Sequence, residues 1–173
     1  MAVEPAKDFE DVRSYILEQN DELELVHAQT ECCFMWASKD GWPLGVIVNF
    51  IYRSGRFWLT ATESRPRVKA VRRDPRVAIA ITSKGSSVLH RQSLTYKCRA
   101  TVHDDSQTLE WFIPEFAAAM RPGEPEKAAA FAEFLDSPGR VVFELAPEVR
   151  IGFDSSKMWK AAPSARPTDA PDD

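Results

Sequence analysis

Residues 41–82 read GWPLGVIVNFIYRSGRFWLTATESRPRVKAVRRDPRVAIAIT. The segment from Leu44 to Tyr52 puts Val46, Val48, Phe50 and Tyr52 on one face and Ile47, Asn49 and Ile51 on the other. Two largely apolar faces predict a strand that lies inside the protein or against a partner chain. Arg53-Ser54-Gly55 turns the chain into a second strand, Arg56 to Thr62. Pro66 suits a first helical position, and Asp74-Pro75 ends the short helix that follows. Arg76 to Thr82 is a third strand, with Val77, Ile79 and Ile81 opposed by the small Ala78 and Ala80.

Charge singles out the same stretch. Arg65, Arg67, Lys69, Arg72, Arg73 and Arg76 fall together in a chain of net charge −4. They cluster where a strand feeds a helix start, a geometry that holds anions such as phosphate. Thr60, Thr62 and Ser64 add hydroxyls, and the guanidiniums of Arg65 and Arg67 pair with phosphate bidentately. Lys69 is a third nearby cation. Arg72, Arg73 and Arg76 are better read as a solvated helix face.

Working outward, Asp8 to Gln19 is expected to be helical, with Phe9, Val12, Ile16 and Leu17 on one stripe and Asp8 as its cap. Cys32–Ala37 is a strand rising into the Lys39-Asp40-Gly41 turn. Beyond the third strand, residues 83–91 form a loop and Leu94 to Val102 a half-buried strand. The period then becomes helical through Leu109, Phe112, Ile113, Phe116, Ala117 and Met120. Pro114 either kinks that helix or delays its start. A second helix runs from about Pro125 to Leu135. Val141, Phe143 and Leu145 share one strand face, and Val149, Ile151 and Phe153 share another after a break at Pro147.

Six or seven short antiparallel strands with late helices predict a mainly β fold. With no strand–helix alternation and no repeat, a closed or split Greek-key barrel solves the edge problem. The barrel domain is expected over residues 1–160, with a structureless Pro- and Asp-rich tail over 161–173.

Composition sets limits on function. At 173 residues, 44% hydrophobic and 28% charged, the chain reads as soluble. No apolar run is long enough for a membrane span and no secretory start is visible, so cytoplasm is the expectation. Net acidity argues against a nucleic-acid partner. Neither the three cysteines nor His27, His90 and His103 show metal-ligand spacing, so no metal is expected. His90 and His103 read as ordinary exposed histidines. Phosphate-loop, dinucleotide and hydrolase motifs are absent, and no catalytic residue is assigned. A bound cofactor is the expected bearer of any chemistry.

The order GWPLGVIVNF, GRFWLTAT, SRPRVKAVRRDPRVAIAI, then LTYKCRATVHDD and MWK, resembles the FMN-binding split-barrel superfamily named after pyridoxamine 5′-phosphate oxidase, over about residues 30–160. The resemblance implies a homodimer with FMN, or the related deazaflavin coenzyme, at the subunit interface. It places the phosphate on Thr60, Thr62, Arg65 and Arg67, with Lys69 nearby, although Pro66 departs from the family's usual Ser-Arg-Lys run. It also places the ring along Val46, Val48 and Asn49, Ser83 near the cofactor, and Lys157 and Trp159 closing the site from the partner subunit. The family's Arg-x-His substrate motif is missing, since no histidine follows His103. Vitamin B6 oxidation is therefore not expected. The Trp-rich sheet and Arg-rich turn are similar in style to an actinobacterial branch in which some members use deazaflavin. The expectation is a flavin- or deazaflavin-dependent oxidoreductase passing hydride to or from a small organic substrate. The alternative is a non-catalytic flavin- or haem-binding module.

Overall fold

A computed structural model describes residues 12–89 and 91–168. Seven strands form one antiparallel sheet: β1 Glu31–Ala37, β2 Pro43–Asn49, β3 Ile51–Arg53, β4 Arg56–Thr62, β5 Arg76–Thr82, β6 Gln92–His103 and β7 Arg140–Asp154. Their spatial order is β2-β1-β5-β6-β7-β4-β3. The two ends of that order, β2 and β3, are consecutive in sequence and separated only by Phe50. One bent segment therefore pairs with β1 through its first half and with β4 through its second, curling the sheet into a barrel. Phe50 is the hinge. Its side chain is buried and its N–H donates to the Thr30 carbonyl at 2.9 Å, so the pairing breaks without leaving a buried donor unmet. The single strand expected from Leu44 to Tyr52 is thus two.

Five helices decorate the barrel: α1 Gln19–Ala28, α2 Pro66–Arg73, α3 Ser106–Met120, α4 Pro125–Leu135 and α5 Ser155–Ala161. Inward side chains of the strands fill the barrel, among them Phe34, Phe57, Leu59, Ile79, Leu94 and Phe143. A second apolar cluster forms outside it, where Phe112, Ile113 and Phe116 of α3 and Leu135 of α4 cover Ile51 and Val142. Asp105 caps α3, accepting from the Thr108 N–H at 2.8 Å, and the helix passes through Pro114 without ending. No described helix is long and apolar enough to cross a membrane.

Several expectations need correction. The first helix starts at Gln19, not Asp8; Val12–Ser14 is a 3-10 turn, and Asp8 and Phe9 lie outside the described residues. Tyr15 and Leu17 are buried while Ile16 is exposed, an alternation of extended chain, and Asp21 and Glu22 favour a helix start beyond them. β7 runs unbroken through Pro147. A bulge absorbs the proline, for Cys98 pairs with Pro147 and Lys97 with Val149, skipping Glu148. That extra residue reverses the alternation, so Val149 and Ile151 point outward and stay exposed. In place of a structureless chain from residue 161, Ala161 closes α5 and Pro163–Ala165 form a 3-10 turn; residues 169–173 lie outside the described range. His90 lies outside it too.

Candidate functional site

The chain between β4 and β5 builds the most chemical surface. β4 delivers Thr60 and Thr62 with their side chains directed out of the barrel, because Leu59 and Ala61 take the interior. Glu63 and Ser64 then turn the chain into α2, with Arg65 at the cap position and Pro66 opening the helix. No side chain caps α2, so the partial positive charge of its N-terminus is unopposed.

The six cations divide into two sets. Arg72 is held by Glu63 at 2.5 Å and Asp104 at 3.2 Å, Arg76 by Asp74 at 2.7 Å, and Arg73 donates to the Ala37 carbonyl at 2.9 Å. Arg65, Arg67 and Lys69 have no acidic partner among the described residues. Arg67 is also half-buried; burial first, and then the Arg65 charge beside it, lower its pKa from the ordinary arginine value. Two guanidiniums held together without an anion form a site complementary to one. Thr62 and Ser64 share a hydrogen bond of 3.2 Å beside them. Thr60 differs, since its hydroxyl already donates to the Val141 carbonyl at 2.8 Å.

The other sequence-chosen residues lie elsewhere. β6 carries Gln92 at one end and His103 at the other, and the α2 end is the His103 end, through Arg72 on Asp104 and the Ala100 N–H on the Pro75 carbonyl. Asn49 pairs with Glu31, and Gln29 just before it donates to the Thr82 carbonyl, which puts Asn49 and Ser83 at the Gln92 end. Val46 and Val48 run along β2 between the ends. Lys157 and Trp159 sit on α5, which leaves β7 beside Gln92; within its own chain Lys157 donates to the Ile16 carbonyl at 2.7 Å and pairs with Glu18 at 2.6 Å, and Trp159 is buried. At about 3.3 Å per residue, the ends of β6 stand roughly 35 Å apart along the strand. One chain therefore does not bring all the chosen residues together. Thr62, Arg65, Arg67 and Lys69 form one group; Asn49, Ser83, Lys157 and Trp159 lie toward the opposite end.

Sequence reasoning missed Gln92. It is buried, and its side-chain carbonyl oxygen meets no hydrogen-bond partner. Its backbone N–H donates to the Ser83 hydroxyl at 2.9 Å, and the Ser83 N–H returns to the Gln92 carbonyl. An orphaned buried acceptor marks this end as incomplete. No local motif signals it; a glutamine on the inward face of a strand was the one available hint. His103 also departs from the exposed histidine expected, being half-buried and hydrogen-bonded to Glu144 at 2.8 Å.

The open outer face of the sheet has its own pattern. Ile47, Cys33, Ala80, Thr95 and Ile151 stand in register across five strands. Beside them runs a second row of Gly45, Met35, Ala78, Lys97 and Val149. Ile47 is 67% and Ile151 55% exposed, so among the described residues this broad and mostly apolar face has no cover.

These features have relatives. The family model described as pyridoxamine 5′-phosphate oxidase matches residues 21–151, most of the chain. The protein belongs to that family. No curated protein matches by sequence. Among solved structures, a conserved hypothetical protein of Mycobacterium tuberculosis superposes with TM-score 0.71 at 15% identity, covering 84% of this chain and 90% of that one. A FAD-binding protein of Mesorhizobium loti gives 0.57 at 15%, covering 80% and 95%. An F420 reductase gives 0.53 at 15%, covering 74% and 94%. At such identities the likeness is one of fold, and it agrees with a seven-stranded split barrel carrying added helices.

Proposed function

We propose that the protein is a homodimeric oxidoreductase that uses FMN or a deazaflavin coenzyme to move a hydride to or from a small organic substrate. The observation that carries this reading is the set of Arg65, Arg67 and Lys69, left without acidic partners beside an uncapped helix start while Arg72 and Arg76 are neutralised. Family membership supplies the cofactor class, and a FAD-binding protein and an F420 reductase among the structural neighbours support it.

Each residue set has a stated task. Arg65 and Arg67 hold a cofactor phosphate, with Lys69, the Thr62 and Ser64 hydroxyls and the free end of α2 around it. β2 has a paired neighbour on one side only: the Phe50 N–H on Thr30 sets the ladder so that the backbone groups of Val46 and Val48 bond to β1, while those of Ile47 and Asn49 face the free edge and remain to meet the polar rim of a ring. Gln92 offers an acceptor to a donor on the cofactor or substrate. The flavin or deazaflavin supplies the hydride chemistry, and the protein orients it and excludes water. The missing Arg-x-His motif still argues against pyridoxamine phosphate as substrate.

Two observations support the dimer. The apolar outer face needs a cover, and the two residue groups stand at opposite ends of one barrel. A two-fold axis lying in that face and perpendicular to β6 would carry the α2 end of one copy toward the Gln92 end of the other, so that each site draws on both chains.

Equilibrium titration with FMN and with the deazaflavin coenzyme tests the reading. Tight binding of one, weakened by Arg67→Ala and not by Arg76→Ala, is the expected result. Binding of neither, or an Arg67→Ala variant with unchanged affinity, overturns it. Binding without turnover for any reductant and acceptor pair would instead favour a ligand-holding module.

A further inference from the structure

The α3–α4 hairpin carries a feature that the cofactor reading does not use. On its solvent side, a crease of about 470 Å³ opens between the two helices, floored by Leu109, Ile113, Pro114 and Ala132. Glu110, Glu133 and Asp136 stand on its rim. Leu109 and Asp136 also line a second hollow of about 560 Å³ walled by Glu63, Asp104, Arg140 and the ion-paired Arg72. The result is an elongated groove rather than a closed pocket. None of the three rim carboxylates has a cationic partner among the described residues, whereas nearby Glu115 and Glu124 pair with Arg53 and Lys127. Pro114 has no N–H to give the Glu110 carbonyl, so the helix leaves an acceptor at the same rim. Phe134, stacked on Phe131 at 6.2 Å and 70% exposed, lies on another flank of α4.

We infer that this groove docks a basic amphipathic helix of another protein. A crease between two antiparallel helices is the surface onto which a third helix packs. Lys or Arg side chains along such a helix meet Glu110, Glu133, Asp136 and the free carbonyl, while its apolar stripe covers Leu109, Ile113 and Pro114. The chain's own ends are poor occupants. Residues 1–11 hold four acids against Lys7, and the C-terminus brings Asp169, Asp172 and Asp173. A second copy is no better, because its cationic patch is α2, and α2 on groove is a head-to-tail contact that propagates instead of closing. The groove lies on a covered sector of the barrel away from the open apolar face, so a dimer formed through that face leaves it accessible.

Titrating the isotope-labelled full-length protein with three synthetic 14-residue peptides tests the inference. One is an amphipathic Leu/Lys helix, one its Leu/Glu counterpart, and one a flexible Gly/Lys chain of equal charge. The Leu/Lys helix is expected to bind and to shift resonances of Leu109, Glu110, Ala132 and Glu133. Glu110→Lys with Glu133→Lys is expected to weaken that binding about tenfold or more. The milder Glu110→Gln with Glu133→Gln guards against a folding defect and is expected to weaken it in the same direction. Equal binding of the Gly/Lys chain, shifts confined to other acidic surfaces such as Asp21 and Glu24, or affinity unaltered by both variants would overturn it. Because these residues lie apart from Arg67, cofactor affinity is expected to hold in both variants, which separates failure here from failure of the cofactor reading.

Discussion

Arg67 is the side chain with most to gain from an anion, being half-buried, beside another guanidinium and without a carboxylate. A charge-assisted hydrogen bond contributes about 1.5–3 kcal/mol, so Arg67→Ala is expected to weaken cofactor binding by roughly 10–100-fold. The melting temperature should hardly move, because no intramolecular ion pair is lost. Gln92→Leu separates two meanings of an orphaned acceptor. If the carbonyl serves a ligand, the variant loses affinity while its melting temperature stays level or rises, since an unsatisfied polar group has gone. A fall in melting temperature with affinity unchanged would make Gln92 structural. The cysteines give a pH prediction. Burial pushes the Cys32 and Cys98 thiols up to about 12, while Cys33 lies on the open face. A raised folded pKa favours the neutral thiol, so this stability is complete below the unfolded value of about 8.5 and is lost as pH rises from there through about 12. Thiol labelling at pH 8 should leave Cys32 and Cys98 unmodified, with Cys33 reacting only in protein whose open face is uncovered; reaction of Cys32 or Cys98 in folded protein would contradict the packing. At this scale the sequence set Arg72, Arg73 and Arg76 apart from Arg65, Arg67 and Lys69. It read the first three as a solvated helix face; their partners, Glu63 and Asp104 for Arg72, Asp74 for Arg76 and the Ala37 carbonyl for Arg73, emerged only from the structure. Gln92 was not legible, since its lack of a partner exists only once the strands are paired.

At the scale of elements, the α3–α4 hairpin depends on a few contacts. Asp105→Ala removes the cap on α3 and should cost about 1 kcal/mol. Phe112 is fully buried in the outer cluster, and Phe112→Ala should cost about 3–5 kcal/mol. Denaturant unfolding followed by circular dichroism measures both, and a smaller loss for Phe112→Ala than for Asp105→Ala would contradict the packing described. Strands with strict alternation, such as Leu94–Val102, were plain from the residues alone. The misread elements share one cause: a tertiary partner overrode a local signal. Pro147 reads as a strand break until a bulge opposite Cys98 accommodates it. Phe50 continues an apolar alternation until the barrel has to close there. Residues 15–18 look helical by composition, yet lie extended because the Tyr15 carbonyl accepts the Asp154 N–H at 2.8 Å.

For the whole molecule, the open sheet face and the separation of the two residue groups make one argument. Ile47→Lys with Ile151→Lys places like charges on that face and should yield a monomer by light scattering, with cofactor affinity lost although the clamp is untouched. Barrel class and the basic turn could be read from residues 41–82, because strand alternation and charge clustering are local. A site shared by two chains came only as what the family resemblance implies, and the support for that proposal depends on which end of the barrel each residue reaches. Subunit complementation tests this most directly. Arg67→Ala and Gln92→Leu chains are purified separately, each binding cofactor weakly, then unfolded together, refolded and titrated. If each site takes its arginine from one chain and its glutamine from the other, random pairing restores about a quarter of the wild-type sites at wild-type affinity. No restoration on mixing would mean that the site lies within one chain, and the composite-site account would fall.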